Sequence, residues 1–452
     1  ILHAGHNQIS NLTPINGLSL ITLGVEYNLI DDISPLSTIV SLERLDLDNN
    51  SISSIDALAS LNFLKFVDLS HNVIDDILSL IALNSLNYLS LSDNDLQDIT
   101  PLDELYSLIS LQLENNRIDD FNSISNLTNL TDLNISDQNI TSVISTKPLE
   151  NLTKLTILNV RDNSLDSFQY FTKMNTLQSL SASNTNCQNL DPLSGLTTLE
   201  VLSVANNNIS RITPLANLTN LKYLTLTGNS IIDTNSISSL GELLLLELGG
   251  NQITNINPLA NLTKLTTIKL YSNNISDINP ITSLTKATTI LLGGNDISDI
   301  SALQNNQLVK YLSLYNNNIS DLSPLSSLTD LEELNLGGNT LIADIEPLSN
   351  LTKLSHLSLY KSKISDLTPL QNMVDLEDLY LWQTDVFDIT PLTGHIKLKY
   401  LFVSDTNISD ISILTNMTKL RYLNIANSNI SDISPLNANS GLGFGDSIDI
   451  RS

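Results

Sequence analysis

Leucine and isoleucine recur along this chain at fixed offsets. The pattern is L-x-x-L-x-L-x-x-N-x-I, followed by x-D-I-x-P-L and a second leucine stretch. Residues 251–265, NQITNINPLANLTKL, and 317–328, NNISDLSPLSSL, are two examples. The L-x-L part alternates with period two, which predicts a short strand with its leucines inward. The polar position just beyond it falls at Asn7, Asn28, Asn50, Asn72, Asn94, Asn116, Gln138, Asn163, Thr185, Asn207, Asn229, Asn251, Asn273, Asn295, Asn317, Asn339, Ser362, Thr384, Thr406 and Ser428, which makes 20 units. The step is 22 residues, except 21 once, 25 after Gln138 and 23 after Asn339. A unit this short cannot bury its own apolar face, so units must stack. A length of 452 residues then describes one growing array, not the three domains that size suggests.

Two further columns shape each unit. The Asn side chain offers two donors and an acceptor, and is placed to satisfy backbone groups at the turn that leaves each strand. All 13 prolines fall in one column, from Pro14 to Pro435, each followed by Leu or Ile. Proline lacks an N–H and fixes φ, so it suits the first residues of a short helical turn. Tyr170 takes this column in the unit after a three-residue insertion around residues 145–148, the most irregular part of the array. The predicted fold is an α/β solenoid of leucine-rich repeats. It is a horseshoe with a parallel β-sheet on its concave side and short 3₁₀ or helical turns on its convex side. The array is expected over residues 1–436. Residues 437–452 then start a C-terminal cap or flank, with residues 448–450 suited to a twenty-first strand.

Composition narrows the function. Acidic residues number 48 and basic residues 21, a net charge of −27. That balance excludes binding nucleic acid through its phosphates and disfavours a polybasic membrane contact. No apolar run reaches 18 residues, so no membrane insertion is expected. A single cysteine, Cys187, excludes a disulfide scaffold or a cysteine-based zinc module. It stands in a column normally filled by Ile, as at Ile209 and Ile253, which predicts a buried, inert thiol. No catalytic motif is present, so the chain is read as no enzyme and as needing no cofactor. Gly441, Gly443 and Gly445 form a G-x-G-x-G, but without the strand and long helix that a dinucleotide site requires. The histidines are scattered; His3 and His6 share a turn, without a third ligand. Sixteen Asn-x-Ser/Thr sequons occur, but the repeat phrases N-L-T and N-x-S generate most of them.

Much of the acidity sits in one column: Asp32, Asp76, Asp98, Asp120, Asp233, Asp277, Asp299, Asp321, Asp366, Asp388, Asp410 and Asp432. Just before the proline turn, these side chains are expected to accept backbone N–H bonds. Calcium bridging neighbouring aspartates is the alternative.

Residues two, four and six before the Asn position share the outward strand face and are free of core duty. In the first third this face is acidic and polar, with Glu26, Arg44, Asp46, Asp48, Asp68, Gln112, Glu114, Asp132 and Asn134, interrupted by Phe66 and Tyr88. The middle is bland. The last eight units present Tyr271, Tyr311, Tyr315, His356, Tyr360, Tyr380, Trp382, Tyr400, Phe402 and Tyr422, including the only tryptophan. Two residues before the Asn position, rings alternate with glycines: Gly249, Tyr271, Gly293, Tyr315, Gly337, Tyr360, then Trp382. Glycine leaves room for a ring to lie flat or a ligand to approach. Aromatics can simply pack across strands. Yet rings make up only 5% of the chain, so this clustering marks a partner-binding patch. Eight strands span about 35–40 Å, enough for an interface of standard size.

The 22-residue units resemble the leucine-rich repeats of bacterial internalins and the related phosphatase-regulator repeats. Residues 434–452, SPLNANSGLGFGDSIDIRS, are similar to the end of internalin-like arrays. The resemblance covers residues 1–436. It implies a bacterial or archaeal recognition or adhesion module at the cell surface or secreted, binding a protein partner. A glycan-binding surface protein and an intracellular phosphatase-regulator-like scaffold are the alternatives. Both chain ends fall inside or beside a repeat, which suggests a fragment without its cap, anchor or export signal.

Overall fold

The computed structural model describes residues 1–443 and 447–449. These form two compact units, Ile1–Asn229 and Ser230–Ser452. Each repeats one motif: a strand of two or three residues, a turn, then a short 3₁₀ helix. Within each unit neighbouring strands are parallel and pair in strict register. In the first, Leu45 faces Leu23 and Val67; in the second, Leu334 faces Leu312 and Leu357. This is the leucine-rich repeat solenoid expected from the periodicity. The final strand, Ser447–Asp449, pairs with Tyr422–Asn424. Ile450 and Gly445, the other residues of that expected strand and of the glycine motif, lie outside the described residues.

Leucine fills most of the two inward positions per strand, Leu, Ile or Val fill most of the following inward columns, and nearly all of these side chains are buried. The core is aliphatic, with Phe121, Phe168 and Phe171 as its large exceptions. Every proline is the second residue of a short helix: 3₁₀ in twelve turns, and the α-helix Ser434–Ala438 in the last. Tyr170 holds the equivalent place in Gln169–Phe171.

The polar column is a hydrogen-bond ladder. Asn116 donates through Nδ2 to the carbonyls of Leu91, Leu113 and Glu114 at 3.0–3.2 Å, and its Oδ1 accepts the N–H of Leu96 at 3.0 Å. One side chain thus ties its own turn to the preceding repeat. Asn273 repeats the arrangement in the second unit. Gln138 does the same with a longer reach. The hydroxyl substitutes do less. Ser362, Thr384 and Thr406 each donate at 2.7 Å to a carbonyl three residues back in their own repeat. Ser428 alone among these four reaches the preceding repeat, at 3.3 Å from the Val403 carbonyl.

The residue before the ladder position has positive φ in nearly every repeat, for example Asn49, Asp93, Asn115, Gly250 and Gly338. The left-handed conformation favours Asn, Asp and Gly. The dipeptides N-N, D-N and G-N at this point carry that conformation in the sequence.

Each aspartate of the acidic column accepts the N–H two residues on through Oδ1, as Asp76 does from Leu78 at 2.8 Å and Asp410 from Ser412 at 2.8 Å. The bond goes to the first helical residue from one position before the cap, so it is an Asx turn, not an N-cap. Where Ser or Thr follows, its hydroxyl often adds a second bond, as at Asp32, Asp321 and Asp388. These bonds hold the carboxyls of Asp32, Asp98, Asp299, Asp321, Asp366 and Asp432 below the usual carboxylate range. Cys187 is buried, and loss of hydration pushes its thiol up to about 11.

Candidate functional site

On the open sheet face of the second unit, the strands from Tyr311–Ser313 to Tyr422–Asn424 carry three in-register rows. The row six before the ladder runs Tyr311, Glu333, His356, Asp378, Tyr400, Tyr422. The row four before it runs Ser313, Asn335, Ser358, Tyr380, Phe402, Asn424. The row two before it holds Tyr315, Gly337, Tyr360 and Trp382, preceded by Gly249, Tyr271 and Gly293.

These rings are organised by stacking. A Cβ added to Gly249, Gly293 or Gly337 would collide with the ring of Tyr271, Tyr315 or Tyr360. Each tyrosine thus lies over the glycine of the preceding repeat, which only glycine permits. Tyr360 is covered in turn by Trp382, with centroids 4.4 Å apart and planes 4° off parallel. Lys361 Nζ stands 5.1 Å from the Trp382 ring. A second stack runs Tyr380–Phe402–Tyr422, at 4.9 and 5.0 Å, with Tyr400 6.3 Å from Tyr422. Offset and stacked pairs contribute about 0.5–1.5 kcal/mol each beyond their buried area. The rings therefore do structural work as well. Of the ten predicted residues, Tyr311 and Tyr400 are exposed and the other eight half-buried.

Tyr311, His356 and Tyr380 come together around a depression of about 260 Å³ with a floor of Ser313, Asn335 and Ser358. His356 Nε2 is 2.8 Å from Asp378 Oδ2, and its Nδ1 is 2.8 Å from Ser355 Oγ. Burial raises the Asp378 carboxyl above its ordinary range, against the lowering effect of His356. Tyr271 and Tyr315 stand apart from this depression, on the glycine row. Glu333, Asp378 and the small floor residues were not among the sequence candidates. The floor residues had a signal, a run of small polar residues in the middle row that ends at the Tyr380 ring.

The first unit carries a different surface. Arg44 lies 3.4 Å from the Phe66 ring centroid, and Phe66 stacks on Tyr88 at 4.2 Å. Around them Asp48 and Asp68 accept the Ser70 hydroxyl at 3.0 and 2.5 Å. Burial, with Asp68 and Glu26 nearby, raises the Asp46 carboxyl. Among the described residues no three His, Cys, Asp or Glu side chains are grouped to share a metal ion, and no helix is long and apolar enough to cross a membrane.

The family described as Leucine Rich repeats (2 copies) matches residues 40–82, 175–216, 197–243, 307–350 and 396–438. An internalin (inlF) from Listeria monocytogenes is similar at 31% identity, with 73% of this chain and 84% of that chain covered and a TM-score of 0.51. A leucine-rich repeat protein of Leptospira interrogans shares the fold at 21% identity, over 98% of this chain and all of that one (100%), with a TM-score of 0.58. The plant peptide hormone receptor RGFR1, solved with RGF2, shares it at 17% identity over 99% and 91% of the two chains, with a TM-score of 0.62. No curated protein matches the chain.

Proposed function

The chain belongs to the internalin-like leucine-rich repeat proteins, and from that premise we propose that it is a non-enzymatic recognition module. Its aromatic sheet face, over strands Tyr311–Ser313 to Tyr422–Asn424, binds a protein partner outside the cell or at its surface. The observation that carries this reading is the concentration of stacked Tyr, Trp and Phe rings on one outward face. Stacking holds the rings before a partner arrives, so little side-chain entropy is left to lose on binding. Rigid Tyr and Trp anchors dominate interface energy. The aspartates of the acidic column already accept a backbone N–H through Oδ1, so calcium would have to compete with those bonds; we propose no metal role for them.

The test probes a panel of extracellular protein domains and a glycan array in parallel, with the wild-type chain and with the Tyr360→Ala/Trp382→Ala variant. A protein hit that weakens at least tenfold in the variant is expected. A protein hit of unchanged strength removes the site assignment, and hits confined to glycans replace the partner class.

A further inference from the structure

The depression between Tyr311 and Tyr380 has a chemistry of its own. Its floor is short because Ser313, Asn335 and Ser358 replace rings in the middle row. Glu333 and His356 form one wall. Register places Glu333 directly between Tyr311 and His356. The surrounding charges are settled among themselves. Glu332 is paired with Lys310 at 2.7 Å and Glu377 with Lys399 at 2.6 Å. Asp378 is held by His356. Glu333 is exposed and, among the described residues, makes no side-chain hydrogen bond or ion pair. The depression therefore offers one uncompensated carboxylate, two tyrosine rings and several small oxygen acceptors, on a chain of net charge −27.

We infer that this depression receives an arginine side chain of the partner polypeptide. The inference rests on the recognition reading above and names the partner chemistry at its centre. A guanidinium carries five donors in a planar fork, which suits one carboxylate and the Ser and Asn oxygens together. Its flat face can lie against tyrosine. A neutral sugar would also suit rings and hydroxyls, but it would leave Glu333 without a counter-charge. The acidity of the whole chain draws a basic partner toward the site.

The wild-type chain, labelled with 3-fluorotyrosine, is titrated with N-acetyl-arginine methylamide and followed by fluorine NMR. Tyr311 and Tyr380 signals are assigned by Tyr→Phe variants. The uncharged control of the same shape is N-acetyl-citrulline methylamide; methyl glucoside is the sugar control. Saturable shifts of both signals are expected with the arginine probe, at least fivefold weaker binding with citrulline, and at least tenfold weaker arginine binding in Glu333→Gln. Equal binding of citrulline, unchanged binding in Glu333→Gln, no saturable shift, or a response to the glucoside alone each overturns the inference. Tyr360 and Trp382 do not line the depression, so the two readings fail separately. Loss of the arginine response alongside a protein partner that still needs Trp382 removes only the present inference. An intact arginine response with no Trp382-dependent partner removes the broader one.

Discussion

Two stretches of sheet, one in each unit, are built on the same kind of leucine core and carry contrasting surfaces. From strand Thr22–Gly24 to Asp132–Asn134 the open face is acidic, and most of its carboxylates are engaged: Asp48 by Asn49 and Ser70, Asp68 by Ser70, Asp132 by Ser110, Glu114 by Asn134 and Arg161, and Asp46 by Arg44. From Tyr311–Ser313 to Tyr422–Asn424 the face is aromatic and its members engage one another. The ladder beneath changes with the face. Under the acidic strands every ladder residue from Asn28 to Asn116 is Asn, each tied to a neighbouring repeat. Under the last four aromatic repeats the ladder is Ser or Thr, three of which bond only within their own repeat or to the next hydroxyl. The difference teaches that cohesion between repeats can be moved from the buried turn to the outward face. Stacked rings then join repeats, and on the proposed reading the same rings meet the partner.

The largest effect that could break this comparison is at the ladder. Asn116→Ala leaves the buried N–H of Leu96 without its acceptor. The carbonyls of Leu91 and Leu113 keep only the donors from Asn94 and Gln138. A loss of about 3 kcal/mol is expected for a buried polar group left unmet. Thr384→Ala removes one bond within its own turn and should cost about 1 kcal/mol. Urea unfolding, read with hydrogen exchange of the neighbouring repeats, measures both. Equal costs would mean the two ladders are equivalent.

The rings come next. Phe402 lies between Tyr380 and Tyr422, so Phe402→Ala removes two stacks and should cost about 2–3 kcal/mol. Phe66→Ala, in the Asn-laddered region, removes one stack and the contact with Arg44. Exchange protection of adjacent repeats should fall further in the first variant than in the second. The opposite order would show that the aromatic face bears no extra share of cohesion. It would then favour rings kept for binding alone.

Most of the fold was legible because it is written twenty times over. Period, proline column and aspartate column each name a local conformation, and the structure places them as strand, 3₁₀ turn and Asx turn. The candidate rings were legible as a row because outward positions follow from strand period. Their stacking was only partly so. The glycine alternation announced flat tyrosines over Gly249, Gly293 and Gly337, and Tyr380–Phe402 lies within one column, but the Phe402–Tyr422 step joins columns four and six before the ladder, a diagonal contact that a column does not display. The rings do pack across strands, as outward aromatics can. Glu333 was invisible for a different reason. Its interest comes from lacking the lysine that Glu332 and Glu377 possess, which is a property of side-chain placement and not of sequence position.

A smaller effect separates the regions by their response to acid. His395 stands in a column otherwise held mainly by leucine and is fully buried, with Nε2 3.1 Å from the Leu370 carbonyl and, among the described residues, no hydrogen-bond partner for Nδ1. Burial lowers its pKa, so the folded chain holds the imidazole neutral. An unfolded histidine takes up a proton near its ordinary value of about 6.5. Below that pH the unfolded state binds a proton that the native state resists, so stability falls as pH drops from there toward the lowered native value. His395→Leu restores the column residue and removes the unmet nitrogen. Leu370 keeps a donor through the N–H of Met373. A gain of about 1 kcal/mol at neutral pH is expected, growing as pH falls below about 6.5. A gain that stays constant from neutral to acidic pH would show that His395 accepts its proton while buried, and that acid sensitivity in this unit arises elsewhere.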